Sequence, residues 1–137
     1  MKNEYLASLI EEINYDDPYN EANGIRTVTL EEGRSVVEVA LRPEHKNLWG
    51  MPHGGILFAV ADVAAGIAAD SARKGMHIVT AGSNISFLYA NPDAKMLRAE
   101  GRVIRAGRKI NVVQSDVYDE LGNHLVTGQF TMYNTNE

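Results

Sequence analysis

The chain has 137 residues, 45% of them apolar and 23% charged, the balance of one soluble domain able to bury a modest core. Its net charge of −5 and pI near 5.3 give it no basic field to steer it onto nucleic acid or an anionic membrane. It has no cysteine, which excludes disulfides, thiolate nucleophiles and cysteine-ligated zinc, and His45, His77 and His124 lack metal-ligand spacing.

The opening MKNEYLASLIEEI is amphipathic and acidic rather than a charged-then-apolar leader, so a cytoplasmic location is expected. Tyr5, Leu6, Leu9, Ile10 and Ile13 share one helical face, which predicts a helix over 2–14 ending at Asp16, Asp17 and Pro18. Residues 1–20 thus form a helix and lead-in to a single domain spanning 1–137. Ile25, Val28 and Leu30 predict a strand over 24–30, a turn follows at 31–33, and Val36–Leu41 completes a hairpin. Two prolines and three glycines leave 42–55 without regular structure.

A long helix is predicted over 54–73. Seven alanines (59, 61, 64, 65, 68, 69 and 72) and Gly66 make it a helix pressed closely against something broad, such as a sheet. Lys74 and Gly75 are expected to close it. Four strands follow, over 77–89, 94–105, 108–118 and 124–133, separated by breaks at Asn91-Pro92, Ala106-Gly107 and 119–123. Strand runs with one segregated apolar helix predict an α+β fold, a curved antiparallel sheet wrapped around that helix.

Within the helix, GGILFAVADVAAGIAAD (54–70) carries Asp62 in an otherwise apolar stretch. An unpaired charge is expensive to bury, so such a carboxylate neutralises, finds a partner or performs chemistry. The alternative is an aspartate turned to solvent or capping a loop. His53-Gly54-Gly55 opens the helix, and glycine lets backbone N–H groups approach a ligand at the positive end of the dipole. These glycines also suit a tight turn into the helix with no further role.

NLWGMPHGGILFAVAD (47–62) resembles the signature of PaaI-type acyl-CoA thioesterases of the hotdog-fold superfamily. NISFLYANP (84–92) and VIRAGRKINVVQSDVYDELGNHLVTGQFT (103–131) are similar to the family's later strands, so the likeness runs from about residue 20 onward. It implies hydrolysis of an acyl-CoA to a free acid and CoA, with no cofactor beyond the coenzyme A of the substrate. It also implies site roles. Asp62 is general base or nucleophile; Asn47 orients the water or the carboxylate; the N–H of Gly54 polarises the thioester carbonyl. His53 is a candidate base, with an orienting role favoured by its place before the glycines. Gly55 and Thr80 border the substrate, Thr80 where some members hold the water with a hydroxyl. Gly107, Arg108 and Lys109 lie where members contact the CoA phosphates, and with Arg105 they form a basic turn, equally readable as a solvated one. Gly66 departs from relatives that carry a second hydroxyl one turn after the acid.

Gly54 and Asp62 are eight residues apart, about 12 Å along a helix, too far for one copy to serve a single thioester with both. Two antiparallel copies solve this. A two-fold homodimer is therefore expected, with Asn47 and Gly54 from one chain and Asp62 from the other. The resemblance implies the same, often as a homotetramer. Two other readings stay open: a non-catalytic acyl-CoA-binding module, and a hotdog enoyl-CoA hydratase or dehydratase using His53. The acyl group is not legible.

Overall fold

The computed structural model describes residues 2–73 and 77–135; the expected helix closure at Lys74 and Gly75 lies outside them. Helix α1 spans Lys2–Glu11 and runs into a π-helical turn at Glu12–Asp16. A second short helix, α2 (Pro18–Asn23), follows, where the sequence predicted only a stop. Asp17 caps it by accepting the Asn20 N–H at 3.0 Å, Pro18 sits in its first turn, and Gly24 closes it at φ 71°.

Six strands form one antiparallel sheet in the order β1-β2-β4-β5-β6-β3. They are β1 (Arg26–Glu31), β2 (Arg34–Ala40), β3 (Ile78–Phe87), β4 (Met96–Ala106), β5 (Ile110–Asp119) and β6 (His124–Asn134). Helix α3 (Gly54–Ala72) lies in the concave face, as predicted, and packs mainly on β4, β5 and β2. At 19 residues it has the length and apolarity of a membrane span, yet here the sheet covers it. Val60, Ala61, Ala64, Ala65, Ala68 and Ala69 are buried against Val37, Leu97, Ala99, Val113, Val117 and Phe130.

The alanines bring the helix backbone against the strands. Ser35 Oγ donates to the Ala64 carbonyl at 2.7 Å and Ser115 Oγ to that of Ala61 at 2.9 Å. A Cβ on Gly101 would run into the Ala64 carbonyl oxygen, so β4 tolerates only glycine at this crossing. In β1 the uneven spacing of Ile25, Val28 and Leu30 has a local cause. Thr27 pairs with Val37 and Thr29 with Val36, leaving Val28 as a bulged, exposed residue.

The two sheet edges differ. Every residue of β3 is exposed except Ile78 and Ile85, which are half-buried. On α3, Phe58, Ala59, Asp62, Val63 and Gly66 form one half-buried stripe, while the residues between them are buried. The helix thus turns its least covered face toward the least covered strand.

Candidate active site

Two groups of site residues emerge, at different levels of α3. The first is at its N-terminus. His53 is the N-cap, its Nδ1 accepting the Gly55 N–H at 2.8 Å, so that donor is spent inside the chain. The Gly54 N–H takes no partner among the described residues, and Gly54 lines a pocket of about 320 Å³ whose walls include Asn47, Met51, Leu57, Phe87 and Leu88. A Cβ on Gly54 would lie 3.9 Å from Phe87 Cζ. Asn47 shapes this mouth: its Oδ1 accepts the N–H groups of Trp49 at 3.0 Å and Met51 at 2.9 Å. Its backbone N–H donates to Met51 O at 2.8 Å, closing the 47–51 loop. With Oδ1 engaged there, the Nδ2 donors are what Asn47 can offer a ligand.

The second group is two turns along. Thr80 Oγ1 donates to Asp62 Oδ1 at 2.5 Å and also lies 3.4 Å from the Met132 sulfur. A bulge aims it: Thr80 pairs with Met132 and Gly82 with Thr131, leaving Ala81 as the extra residue. Partial burial raises the Asp62 pKa above its ordinary value, and the Thr80 hydroxyl pulls it back down. Asp62 is therefore a stronger base than a solvated aspartate while keeping a donor that favours its ionised form. Beside it, a Cβ on Gly66 would meet nothing within 4 Å, leaving open space where a side chain would fit.

The single chain brings Asn47 and Gly54 together, and Asp62 together with Thr80, but does not join the two groups. Half-buried Gly107 and exposed Arg108 and Lys109 form the β4–β5 turn, with Gly107 N–H donating to Ile110 O at 2.9 Å. Residues that the sequence marks only as breaks tie the β5–β6 turn to the loop before β4. Asp119, buried at the end of β5, accepts from Asn91 Nδ2 at 2.7 Å, Leu121 N at 2.9 Å, and Asn123 N and Nδ2. Burial pushes its carboxyl up, but the donors from Asn123, Asn91 and Leu121 outweigh it and hold the pKa below the usual value. Asn91 also lines the pocket at the start of α3. An Asp-x-x-x-Asn turn facing an Asn-Pro break was the only sequence signal for this knot.

The model of the thioesterase superfamily matches residues 50–125. A Saccharolobus solfataricus protein with a provisional esterase name is 34% identical over 72% of this chain and 69% of its own length. The acyl-coenzyme A thioesterase PaaI of Escherichia coli is 28% identical over 77% of this chain and 74% of its own. The structure of E. coli PaaI superposes with a TM-score of 0.89 over 97% of this chain and 95% of that one, at 22% identity. A thioesterase-named structure with coenzyme A from Streptococcus pneumoniae is 26% identical, with a TM-score of 0.79 over 93% and 98%. The chain belongs to the thioesterase superfamily, with the hotdog fold, a curved sheet around one central helix. Within it the chain is of the PaaI type and is a thioester hydrolase.

Proposed function

We propose that this enzyme hydrolyses acyl-CoA thioesters in sites shared across a two-fold dimer, with Asp62 of one chain acting on a thioester held at Asn47 and Gly54 of the other. The observation that carries the proposal is the separation of Gly54 and Asp62 by about two turns of one helix, whose Asp62 stripe faces an uncovered edge strand. Pairing of β3 with its symmetry copy would extend the sheet, cover the exposed edge and set the two α3 helices antiparallel. Two such dimers would make the expected tetramer.

In this arrangement the thioester carbonyl accepts the Gly54 N–H at the positive end of α3. Asp62, stiffened by Thr80, takes a proton from a water, whose oxygen bonds to the carbonyl carbon. The tetrahedral oxyanion rests on Gly54 and on Asn47 Nδ2, and such a donor is worth roughly 3 kcal/mol. On collapse the C–S bond breaks, and the thiolate takes the proton from Asp62 to leave as CoA. The alternative, attack by Asp62 itself to form a mixed anhydride, is separated by single-turnover reaction in ¹⁸O-water, in which label in Asp62 marks the anhydride. His53 keeps the helix start in register. Gly55 serves through its lack of a side chain, since a Cβ there would press on His53 Nδ1 at 3.0 Å. The Arg108 and Lys109 cations are assigned to the phosphates of CoA on their charge, and coenzyme A in the S. pneumoniae relative supports CoA as the ligand. No cofactor is required, so a chelator leaves the rate unchanged.

A hydrolysis screen over acyl-CoAs of graded length, aryl ones included, tests this. Turnover is expected with at least one, and Asp62→Asn is expected to lower it about 100-fold or more while leaving CoA binding intact. An Asp62→Asn enzyme of undiminished rate would remove Asp62 from the chemistry.

A further inference from the structure

The strand-end asparagines Asn134 and Asn111 have no part in the chemistry above, yet they meet beneath the basic turn. Asn134 Nδ2 donates to the carbonyls of Gly107 at 3.2 Å and Arg108 at 2.9 Å. Its backbone N–H donates to the Lys109 carbonyl at 2.9 Å. Three consecutive carbonyls of the turn are thus drawn inward to a single residue. Asn134 Oδ1 in turn accepts Asn111 Nδ2 at 2.8 Å, which fixes the orientation of the Asn134 amide with its donors toward the turn. Both asparagines are buried, and Asn111 Oδ1 has no partner among the described residues. A buried amide left half-satisfied is a cost that the core of a simple hairpin would avoid with an apolar pair.

The planarity of the trans peptide supplies the consequence. Each N–H points opposite to the carbonyl of the same peptide. Turning the Gly107 and Arg108 carbonyls inward therefore turns the N–H groups of Arg108 and Lys109 outward. Neither donates to any described residue. Two adjacent outward N–H groups, in an exposed stretch whose sequence also carries Arg105, Arg108 and Lys109, are what an anion-binding turn requires.

We propose that Asn134, oriented by Asn111, is a positioning residue that presets the backbone of this turn to receive the phosphates of the coenzyme A nucleotide. The inference rests on the proposal that the turn contacts CoA, and the test separates the two. KM and kcat are measured with the best acyl group of the screen, once on CoA and once on N-acetylcysteamine, which lacks the nucleotide; binding of free CoA is measured by calorimetry. Asn134→Ala is expected to raise KM for the acyl-CoA, and Kd for CoA, about tenfold, with kcat and the truncated thioester unaffected. Asn134→Ser, which retains one donor and a smaller packing change, is expected to give a lesser shift of the same kind if the alanine variant folds poorly. The double variant Arg108→Ala/Lys109→Ala checks the underlying reading. If it weakens CoA but Asn134→Ser and Asn134→Ala do not, the positioning role is overturned and the contact stands. If it leaves CoA binding unchanged, the contact itself falls, and the inference with it. Equal losses on both thioesters would mark Asn134 as structural only and overturn the proposal.

Discussion

Asp70 sits two turns beyond Asp62 and gives the sharpest stability prediction. It lines a cavity of about 570 Å³ beneath the N-terminal segment, together with Tyr5, Glu12, Asp16 and His77. Burial, and then the nearby Glu12 charge, push its pKa from the ordinary 3.8 up to about 7. Well below pH 3.8 the carboxyl is protonated in both folded and unfolded chains and has no effect. As pH rises toward 7 the unfolded chain releases its proton first, so stability falls across that interval and stays reduced above it. The gap between 3.8 and about 7 converts to roughly 4 kcal/mol at 1.36 kcal/mol per pH unit. Residual contact with water brings this to roughly 2 kcal/mol. Asp70→Asn keeps the shape and removes the charge. For 137 residues, an unfolding entropy of about 2.1 cal/mol/K per residue turns 2 kcal/mol into about 7 °C. Thermal unfolding at fixed protein concentration should show the Asp70→Asn variant stabilised by about that amount at pH 8 and by only about 1 °C at pH 4. Equal shifts at both pH values, or none at pH 8, would refute the argument.

Two further outcomes follow from contacts around α3. Thr80→Val removes the donor that lowers the Asp62 pKa, so the ascending limb of the kcat/KM–pH profile should move to higher pH; an unmoved limb would mean that Asp62 does not set it. Gly101→Ala drives a methyl group into the Ala64 carbonyl and to 2.7 Å from Ser35 Oγ, which should cost at least about 2 kcal/mol in urea unfolding. A loss under about 0.5 kcal/mol, the scale of a surface change, would show that the helix does not approach β4 so closely.

Much of this architecture is legible in the sequence because it obeys simple periods. The alternation of 94–105, 108–118 and 124–133 marks β4, β5 and β6 to within two residues, and the run of alanines marks α3 as a helix against a sheet. What escaped is local or long-range. Asp17-Pro18 reads as a stop for one helix, yet the same pair, cap and first-turn proline, starts another. Val28 reads as an inward residue until the bulge turns it out. Asn111, Asn134 and Asp119 look like ordinary turn-side polar residues. Their role depends on their facing the inside of the sheet at strand ends, which only pairing between distant strands decides. Asp62 stands out by its apolar flanks, whereas Thr80 came through family resemblance, since no local pattern ties residue 80 to residue 62.

The shared-site claim is tested most directly by mixing subunits. Asp62→Asn and Asn47→Ala chains, each crippled alone, are unfolded together, refolded and assayed. If each site takes Asn47 from one chain and Asp62 from its partner, half the dimers are mixed and one of their two sites is intact, so about a quarter of wild-type activity returns. Activity no higher than that of the two variants refolded separately, with mixed dimers verified by mass, would contradict the account.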